Sequence, residues 1–195
     1  MNHCDLVIIG ASWGGLRAVS EILGGLPADF PAPIVIVQHR QEDAKDILSG
    51  LLDRQGPLTV REAEDKSELN PGCVHVAPPG YHVLIEEGHL ELSTEAQVQF
   101  SRPSIDVAME SAAHAYGDRA IGVVLTGANE DGAAGLAEIR RLGGVAVAQD
   151  PQSAEKAIMP AAAIRAADPQ HVRRLDEIAP LLVRLASGEK VPSDA

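Results

Sequence analysis

A glycine-rich turn near the N-terminus joins a strand-like apolar run to a helical pattern. The run Val7-Ile8-Ile9 ends at Gly10, helical spacing begins near Leu16, and between them lies G-x-S-x-G centred on Ser12. Small residues let the backbone bend sharply, which lifts a serine hydroxyl out of the sheet edge and leaves helix N–H groups facing it. The turn predicts an exposed nucleophile at Ser12 on an α/β fold, and an ordinary tight turn with an incidental serine is the alternative.

A glycine-rich turn after a first strand is also typical of dinucleotide binding. That fingerprint requires G-x-G-x-x-G and an acidic residue at the end of the second strand. Here Ser12 replaces the middle glycine, and the second strand ends in Gln38-His39-Arg40. A nucleotide-binding domain therefore stays only an alternative interpretation.

Strand-like and helical patterns alternate along the rest of the chain. Continuous β-branched or small apolar runs at 33–37, 120–126 and 145–148 are typical of strands buried on both faces. Short extended pieces between residues 73 and 92 turn at Glu86–His89, which predicts a hairpin. The expected fold is α/β: a doubly wound, mostly parallel sheet with helices on both faces and an antiparallel hairpin excursion.

Helix boundaries follow from proline and from helical spacing. One helix is expected from Asp43 to Arg54, and another is expected to begin at Pro103 behind a Ser101 or Arg102 cap. On that second helix Asp106 and Glu110 stand one turn apart, which predicts a solvated face.

Length and charge limit the classes of function. A chain of 195 residues predicts a single domain, 1–195, with a frayed tail after about residue 188. With 28 acidic and 16 basic residues the net charge is −12, which disfavours nucleic acid and anionic membranes as partners. Two distant cysteines, no signal peptide and no membrane-length apolar run predict a cytoplasmic protein. The histidines lack metal-ligand spacing, so no metal and no cofactor is expected.

Three strand ends bring together the residue types of a hydrolase. Ser12 follows the first strand, His39 the second, and Asp131 the strand at 120–126. A histidine can take the serine proton, and an aspartate can fix the histidine tautomer. The N–H of Trp13 would face the developing oxyanion. Taken singly, His39 could serve as a structural strand cap and Asp131 as the N-cap of the following helix.

From Val7 to about Ile164 the chain resembles the chemotaxis protein-glutamate methylesterases. The matching blocks are Gly10-Ala11-Ser12-Trp13-Gly14-Gly15, Val37-Gln38-His39, Ala77-Pro78-Pro79-Gly80, Arg102-Pro103-Ser104-Ile105-Asp106, Leu125-Thr126-Gly127, Asp131-Gly132-Ala133-Ala134-Gly135 and Met159-Pro160. The resemblance implies a serine hydrolase that demethylates glutamate methyl esters on chemoreceptor helices and deamidates receptor glutamines. It implies Ser12 as nucleophile, His39 as base and Asp131 as the orienting acid.

Three departures from the family pattern bear on activity. The usual enzyme carries a receiver domain ahead of the catalytic one, so a separate receiver-type regulator is the expected partner here. The residue after the serine is the large Trp13, which either reshapes the cleft wall or anchors the core. The loop Ala128-Asn129-Glu130 differs from the family type, which alters any help that Ala128 gives the oxyanion. A catalytically impaired binding or regulatory module on the same fold is the alternative function.

Overall fold

A computed structural model describes residues 4–41 and 47–194. Its main sheet has seven strands in the order β3-β4-β2-β1-β7-β8-β9, and every neighbouring pair is parallel. The strands of this sheet are β1 (Leu6–Ala11), β2 (Ile34–Gln38), β3 (Thr59–Glu62), β4 (Cys73–Val76), β7 (Ala120–Val124), β8 (Val145–Gln149) and β9 (His171–Arg173). The predicted parallel α/β sheet is confirmed.

The central strand β1 is buried along its whole length because strands flank both its edges and helices cover both faces of the sheet. Ala11 stands opposite Gln38 of β2, and Gly10 stands opposite Val124 of β7. This full burial explains why β1, β2 and β7 read as unbroken apolar runs rather than as alternating patterns.

Helices cover both faces of the sheet and give two separate cores. One core contains α1, α2 and α6, and the other contains α3, α4, α5 and the hairpin. The helices are α1 (Gly15–Gly24), α2 (Leu48–Leu52), α3 (Ile105–Tyr116), α4 (Ala133–Arg141), α5 (Ile158–Ala167) and α6 (Leu175–Ala186). Adjacent residues of β1 serve opposite cores, since Val7 and Ile9 face the first while Leu6 and Ile8 face the second.

The predicted hairpin is also confirmed, and it forms its own small sheet. Strands β5 (His82–Glu86) and β6 (His89–Ser93) pair antiparallel. Helix α3 holds it, because the Ser111 hydroxyl accepts the N–H of Ile85 and the Tyr116 hydroxyl accepts the N–H of Gly88.

Two predicted helix boundaries need correction. Helix α3 begins at Ile105, not Pro103, because the Ser104 hydroxyl accepts the N–H of Val107 and thus caps the helix. Helix α2 begins at Leu48 and ends at Leu52, and residues 43–46 of the predicted helix lie outside the described residues.

The chain changes direction across the sheet at β1. Strands β2, β3 and β4 lie on one side of β1, and the chain then crosses to β7, β8 and β9 on the other. Ligands of such sheets collect at the carboxyl ends of the strands beside this switch point. The loops after β1, β2 and β7 meet there.

The C-terminal segment returns to the sheet edge. The Asp194 carboxylate accepts the N–H of Val172, the Asp194 N–H donates to Gln170, and Val191 packs against the first core. Within the described residues, no helix combines the length and the apolar character that a membrane crossing demands.

Candidate active site

The turn that carries Ser12 is pinned by the strands on both sides of β1. The Ser12 N–H donates to the carbonyl of Thr126 at 3.0 Å. The Ser12 carbonyl accepts the N–H of Gly15 at 2.9 Å and the side-chain amide of Gln38 at 2.8 Å. The backbone of Ser12 is therefore fixed by hydrogen bonds on both sides of the turn.

Two glycines make this turn possible. Gly14 has φ of 79°, a left-handed conformation that lets α1 begin immediately after the bend. A Cβ on Gly15 would lie 2.0 Å from Oε1 of Gln38 and 2.8 Å from the Cβ of Ala11, so any larger residue would displace Gln38 and the end of β1.

His39 stands beside Ser12 across the next strand. The His39 N–H donates to the carbonyl of Ala11 at 3.0 Å, which continues the register in which Ala11 faces Gln38. Ser12 and His39 line one cavity of about 590 Å³. Among the described residues the Ser12 hydroxyl makes no hydrogen bond, so it is not in contact with His39 in this structure.

The Asp131 carboxylate is fully buried and accepts four hydrogen bonds. Its Oδ2 lies 2.7 Å from Nε2 of His39 and 2.7 Å from the N–H of Ile105. Its Oδ1 lies 2.9 Å from the Ser104 hydroxyl and 2.9 Å from the N–H of Asp106. Asp131 therefore caps α3 as well as holding His39, rather than capping the helix that follows it.

The pKa of the Asp131 carboxyl lies below its ordinary value. Burial by itself raises this pKa, but the hydrogen bonds from His39 and from the N–H groups of Asp106 and Ile105 outweigh burial. The carboxylate is ionised at neutral pH and can stabilise a positive charge on His39.

The bond to Asp131 decides which nitrogen of His39 can act as a base. Nε2 carries the proton that points at the carboxylate, so the lone pair for proton transfer sits on Nδ1. The side-chain amide nitrogen of Asn129 lies 3.5 Å from Nδ1. The loop that departs from the family pattern thus reaches His39 through Asn129.

Asp106, in the first turn of α3, in turn accepts hydrogen bonds from N–H groups at the start of α4. Its Oδ1 accepts the N–H groups of Gly132 and Gly135, both at 2.8 Å, and its Oδ2 accepts the amide of Gln99 at 2.9 Å. The predicted solvated face is wrong for Asp106, which is buried, although Glu110 is exposed. Helical spacing could not indicate that the start of α4 meets this face.

The two capping carboxylates differ in acidity. Burial raises the pKa of Asp106 to about 6, the charge of Asp131 adds to the rise, and the N–H groups of Gly135 and Gly132 oppose it. Both carboxyls are therefore mostly ionised at neutral pH, but as the pH falls Asp106 takes up its proton before Asp131 does.

Trp13 lies at the protein surface next to Ser12 in the chain, so the core-anchor interpretation is wrong. Its side chain is 60% exposed, its indole N–H donates to Glu155 at 2.8 Å, and the Lys156 ammonium lies 5.5 Å from the ring centre. Its backbone N–H donates to no described residue and remains available to an oxyanion. Ala128 is exposed in the β7–α4 loop, and no described contact joins it to Ser12.

Sequence reasoning missed several residues that build the site. Ser104 and Asp106 belong to the Arg102–Asp106 block, but only the three-dimensional contacts give them capping roles. Gln38, next to His39, links the carbonyls of Ser12 and His39 through one amide. No cluster of three or more metal-ligating side chains occurs in the ranges 4–41 and 47–194.

Comparisons with known proteins agree with this architecture. The chain is 47% identical over 186 residues to a Leptospira interrogans protein provisionally named protein-glutamate methylesterase/protein-glutamine glutaminase, covering 95% of this chain and 96% of that protein. It is 42% identical over 174 residues to the Anaeromyxobacter dehalogenans protein-glutamate methylesterase/protein-glutamine glutaminase 2, covering 89% of this chain but only 51% of that protein. The chain thus spans about half the length of this second relative.

A solved structure shows the same fold. The crystal structure of the Thermotoga maritima CheB methylesterase catalytic domain superposes with a TM-score of 0.89 at 34% identity, covering 93% of this chain and 98% of that one. The family model described as CheB methylesterase matches residues 7–182. The chain belongs to the CheB methylesterase family.

Proposed function

We propose that this chain is a serine hydrolase that demethylates glutamate methyl esters and deamidates glutamines on chemoreceptor proteins. Ser12 is the nucleophile, His39 the general base and Asp131 the acid that orients it. The observation that carries the proposal is the 2.7 Å hydrogen bond from Nε2 of His39 to the buried Asp131 carboxylate, beside the turn that carries Ser12.

The reaction would proceed through an acyl-enzyme. The Ser12 hydroxyl attacks the ester carbonyl while Nδ1 of His39 takes its proton, and Asp131 stabilises the imidazolium. The oxyanion accepts the Trp13 N–H. The C–O bond to the methoxy group then breaks, methanol leaves with the proton from His39, and a glutamyl ester remains on Ser12. Water, activated by His39, releases the glutamate side chain.

The proposed substrate class rests on the names of the relatives and not on the geometry of the cleft. Their names join methylesterase and glutaminase activities, and the same acyl-enzyme serves both because ammonia replaces methanol as the leaving group. Methylated chemoreceptor helices are the proposed substrate, and a separate receiver-type protein is the proposed regulator.

Methanol release from methylated receptor fragments tests the assignment. We expect Ser12→Ala to reduce release to background while its circular dichroism and melting stay those of the parent, because the Ser12 hydroxyl has no structural hydrogen bond to a described residue. Undiminished release by Ser12→Ala would remove the proposal.

A binding module is the second candidate function. It is favoured by the lack of a ground-state hydrogen bond from the Ser12 hydroxyl to His39 within the described residues, and by the exposed Trp13 beside it. A fluorophosphonate probe separates the two, since only an activated hydroxyl is labelled and Ser12→Ala abolishes labelling. The nucleotide alternative predicts saturable NAD binding instead, although Gln38 holds backbone carbonyls where a ribose-binding carboxylate would be required.

A further inference from the structure

A second cavity continues the cleft beyond His39. It has a volume of about 360 Å³ and lies between the end of β2 and the segment 97–103. His39 and Arg40 line both this cavity and the one that contains Ser12. A peptide whose ester reaches Ser12 can therefore place a neighbouring side chain beside Arg40.

Arg40 has hydrogen-bonding capacity that its own fold does not use. Its side chain is 9% exposed, and its Nη2 donates to the carbonyl of Ala77 at 2.7 Å and to Glu62 at 3.2 Å. Its Nε and Nη1 are shielded from solvent and have no acceptor among the described residues. Desolvated guanidinium N–H groups without acceptors are costly, and their planar fork suits a carboxylate.

The opposite wall presents an apolar contact. The Phe100 side chain is 97% exposed and lines the same cavity. It stands on a two-residue turn between Val98 and Ser101, in which Gln99 and Phe100 have φ of 48° and 62°. Both values lie in the left-handed region that non-glycine residues disfavour, so the turn holds the ring outward at an energetic cost.

The second cavity has basic but no acidic side chains in its lining. Arg40 and Arg102 both line it, and among the described residues no aspartate or glutamate does. Although Arg40 is paired with Glu62, an acidic ligand meets no negative lining side chain here, whereas the chain as a whole carries a net charge of −12.

We propose that Arg40 is a specificity-determining residue that binds a carboxylate on the substrate peptide next to the scissile ester, with Phe100 in contact with apolar groups of the same peptide. The proposal rests on the proposed function, because it assigns the acidic peptide to the cleft that contains Ser12. The proposal requires the Nε and Nη1 groups, which are shielded in this structure, to turn toward the cavity so that the carboxylate reaches them.

Binding to the Ser12→Ala variant tests this without catalysis. Trp13 is the only tryptophan and lies beside Ser12, so its fluorescence reports occupancy of the cleft. Two receptor-like peptides are compared, each with one methyl-glutamyl residue and either Glu or Gln beside it. We expect the Glu peptide to bind at least about tenfold more tightly, as for a charge-assisted hydrogen bond.

Substitutions made in the Ser12→Ala variant test whether Arg40 causes the preference for the Glu peptide over the Gln peptide. Arg40→Gln should abolish the difference between the peptides, and Arg40→Lys should retain part of it through charge alone. Arg61→Gln, which removes an exposed positive charge from β3, is the control and should keep the full preference. Phe100→Ser should weaken the binding of both peptides by a similar factor.

The ratio of the two Kd values does not depend on how much of each variant is folded, although Arg40 also bonds to Glu62 and Ala77. Equal binding of the two peptides, or an Arg40→Gln change that leaves their ratio intact, would overturn the proposal. The proposed function fails separately, when the parent protein releases no methanol from methylated receptor.

Discussion

At the scale of single residues, the site depends on one carboxylate with two duties. Asp131 orients His39 and also accepts the first N–H groups of α3, so its chemical and structural partners share two oxygen atoms. Local pattern could place Asp131 at the sheet edge, but not the partners that lie more than twenty residues away in the chain. The catalytic roles of Ser12, His39 and Asp131 stay predictions until activity is measured.

Replacing this carboxylate should cost both activity and stability. In Asp131→Asn one acceptor oxygen becomes an N–H donor that faces donors of α3 or His39. We expect kcat for methanol release to fall roughly 10³–10⁴-fold, as when a triad aspartate loses its charge. The free energy of unfolding should fall by about 1–3 kcal/mol.

The control for this change is Asp65→Asn. Asp65 is exposed and accepts the N–H of Leu92 in the hairpin, outside the cleft. Activity that falls equally in both variants would show that loss of charge, and not the site, is responsible.

Asp106 should give stability a distinct dependence on pH. Its pKa in the folded protein is about 6, above the ordinary 3.8, so the folded state binds this proton more tightly than the unfolded chain. Its contribution to the free energy of unfolding therefore falls as the pH rises from 3.8 to about 6. Asp131 acts in the opposite sense, because its lowered pKa makes its contribution disappear only at lower pH.

Urea denaturation of Asp106→Asn across this pH window measures the effect. The amide oxygen can still accept the N–H groups of Gly132 and Gly135, but the side chain no longer titrates. We expect the fall in stability between 3.8 and about 6 to be absent from the variant. Parallel curves for the parent and the variant would contradict the assignment.

At the scale of elements, helices α3 and α4 fasten each other at their N-termini. Asp131, which precedes α4, caps α3, and Asp106 in the first turn of α3 accepts N–H groups at the start of α4. Each carboxylate also meets the positive end of the other helix's dipole. This exchange fixes the loop after β7 in the position from which Asp131 reaches His39.

The cap of α3 can be tested by comparing two serines. Ser104→Ala removes the hydroxyl that accepts the N–H of Val107 and donates to Asp131, so the free energy of unfolding should fall by about 1–2 kcal/mol. Ser101→Ala, at the cap position expected from sequence alone, should change it by less than about 0.5 kcal/mol. Thermal or urea unfolding measures both, and a larger loss for Ser101→Ala would reverse the assignment.

Strands and turns could be predicted from the sequence where the local pattern of residues determines their structure. The apolar runs of β1, β2 and β7 and the turn of the β5–β6 hairpin are confirmed because burial on both faces and turn chemistry leave local signals. The start of α3 was not predictable from Pro103, because Ser104 competes for the cap through its bond to Asp131. Asp106 reads as a solvated residue on spacing alone, since its partners belong to another helix.

At the scale of the whole molecule, the sheet separates two cores that share little beyond the strands. Ile22 of α1 lies in one and Ile139 of α4 in the other. The cleft sits where the loops from both halves of the sheet meet, and Ser12, His39 and Asp131 come from three of these loops. Their convergence follows from the strand arrangement rather than from any local motif.

Mutations in the two cores should act independently on stability. Ile22→Val and Ile139→Val should each lower the free energy of unfolding by about 0.5–1.5 kcal/mol. Since the sheet stands between them, the double variant should lose the sum within about 0.5 kcal/mol. Urea denaturation followed by circular dichroism checks this, and a clear departure from the sum would show that the sheet transmits strain between the cores.

Ser12 and Asp131 differ in how many hydrogen bonds their side chains make, and this difference affects which of them could be lost in evolution. The serine hydroxyl makes no hydrogen bond to a described residue, whereas the aspartate carboxylate accepts four. A homologue that is no longer selected for hydrolysis could lose the hydroxyl without losing stability, whereas loss of the carboxylate would lower its stability. In homologues that have lost hydrolase activity, the aspartate equivalent to Asp131 should therefore be retained more often than the serine equivalent to Ser12.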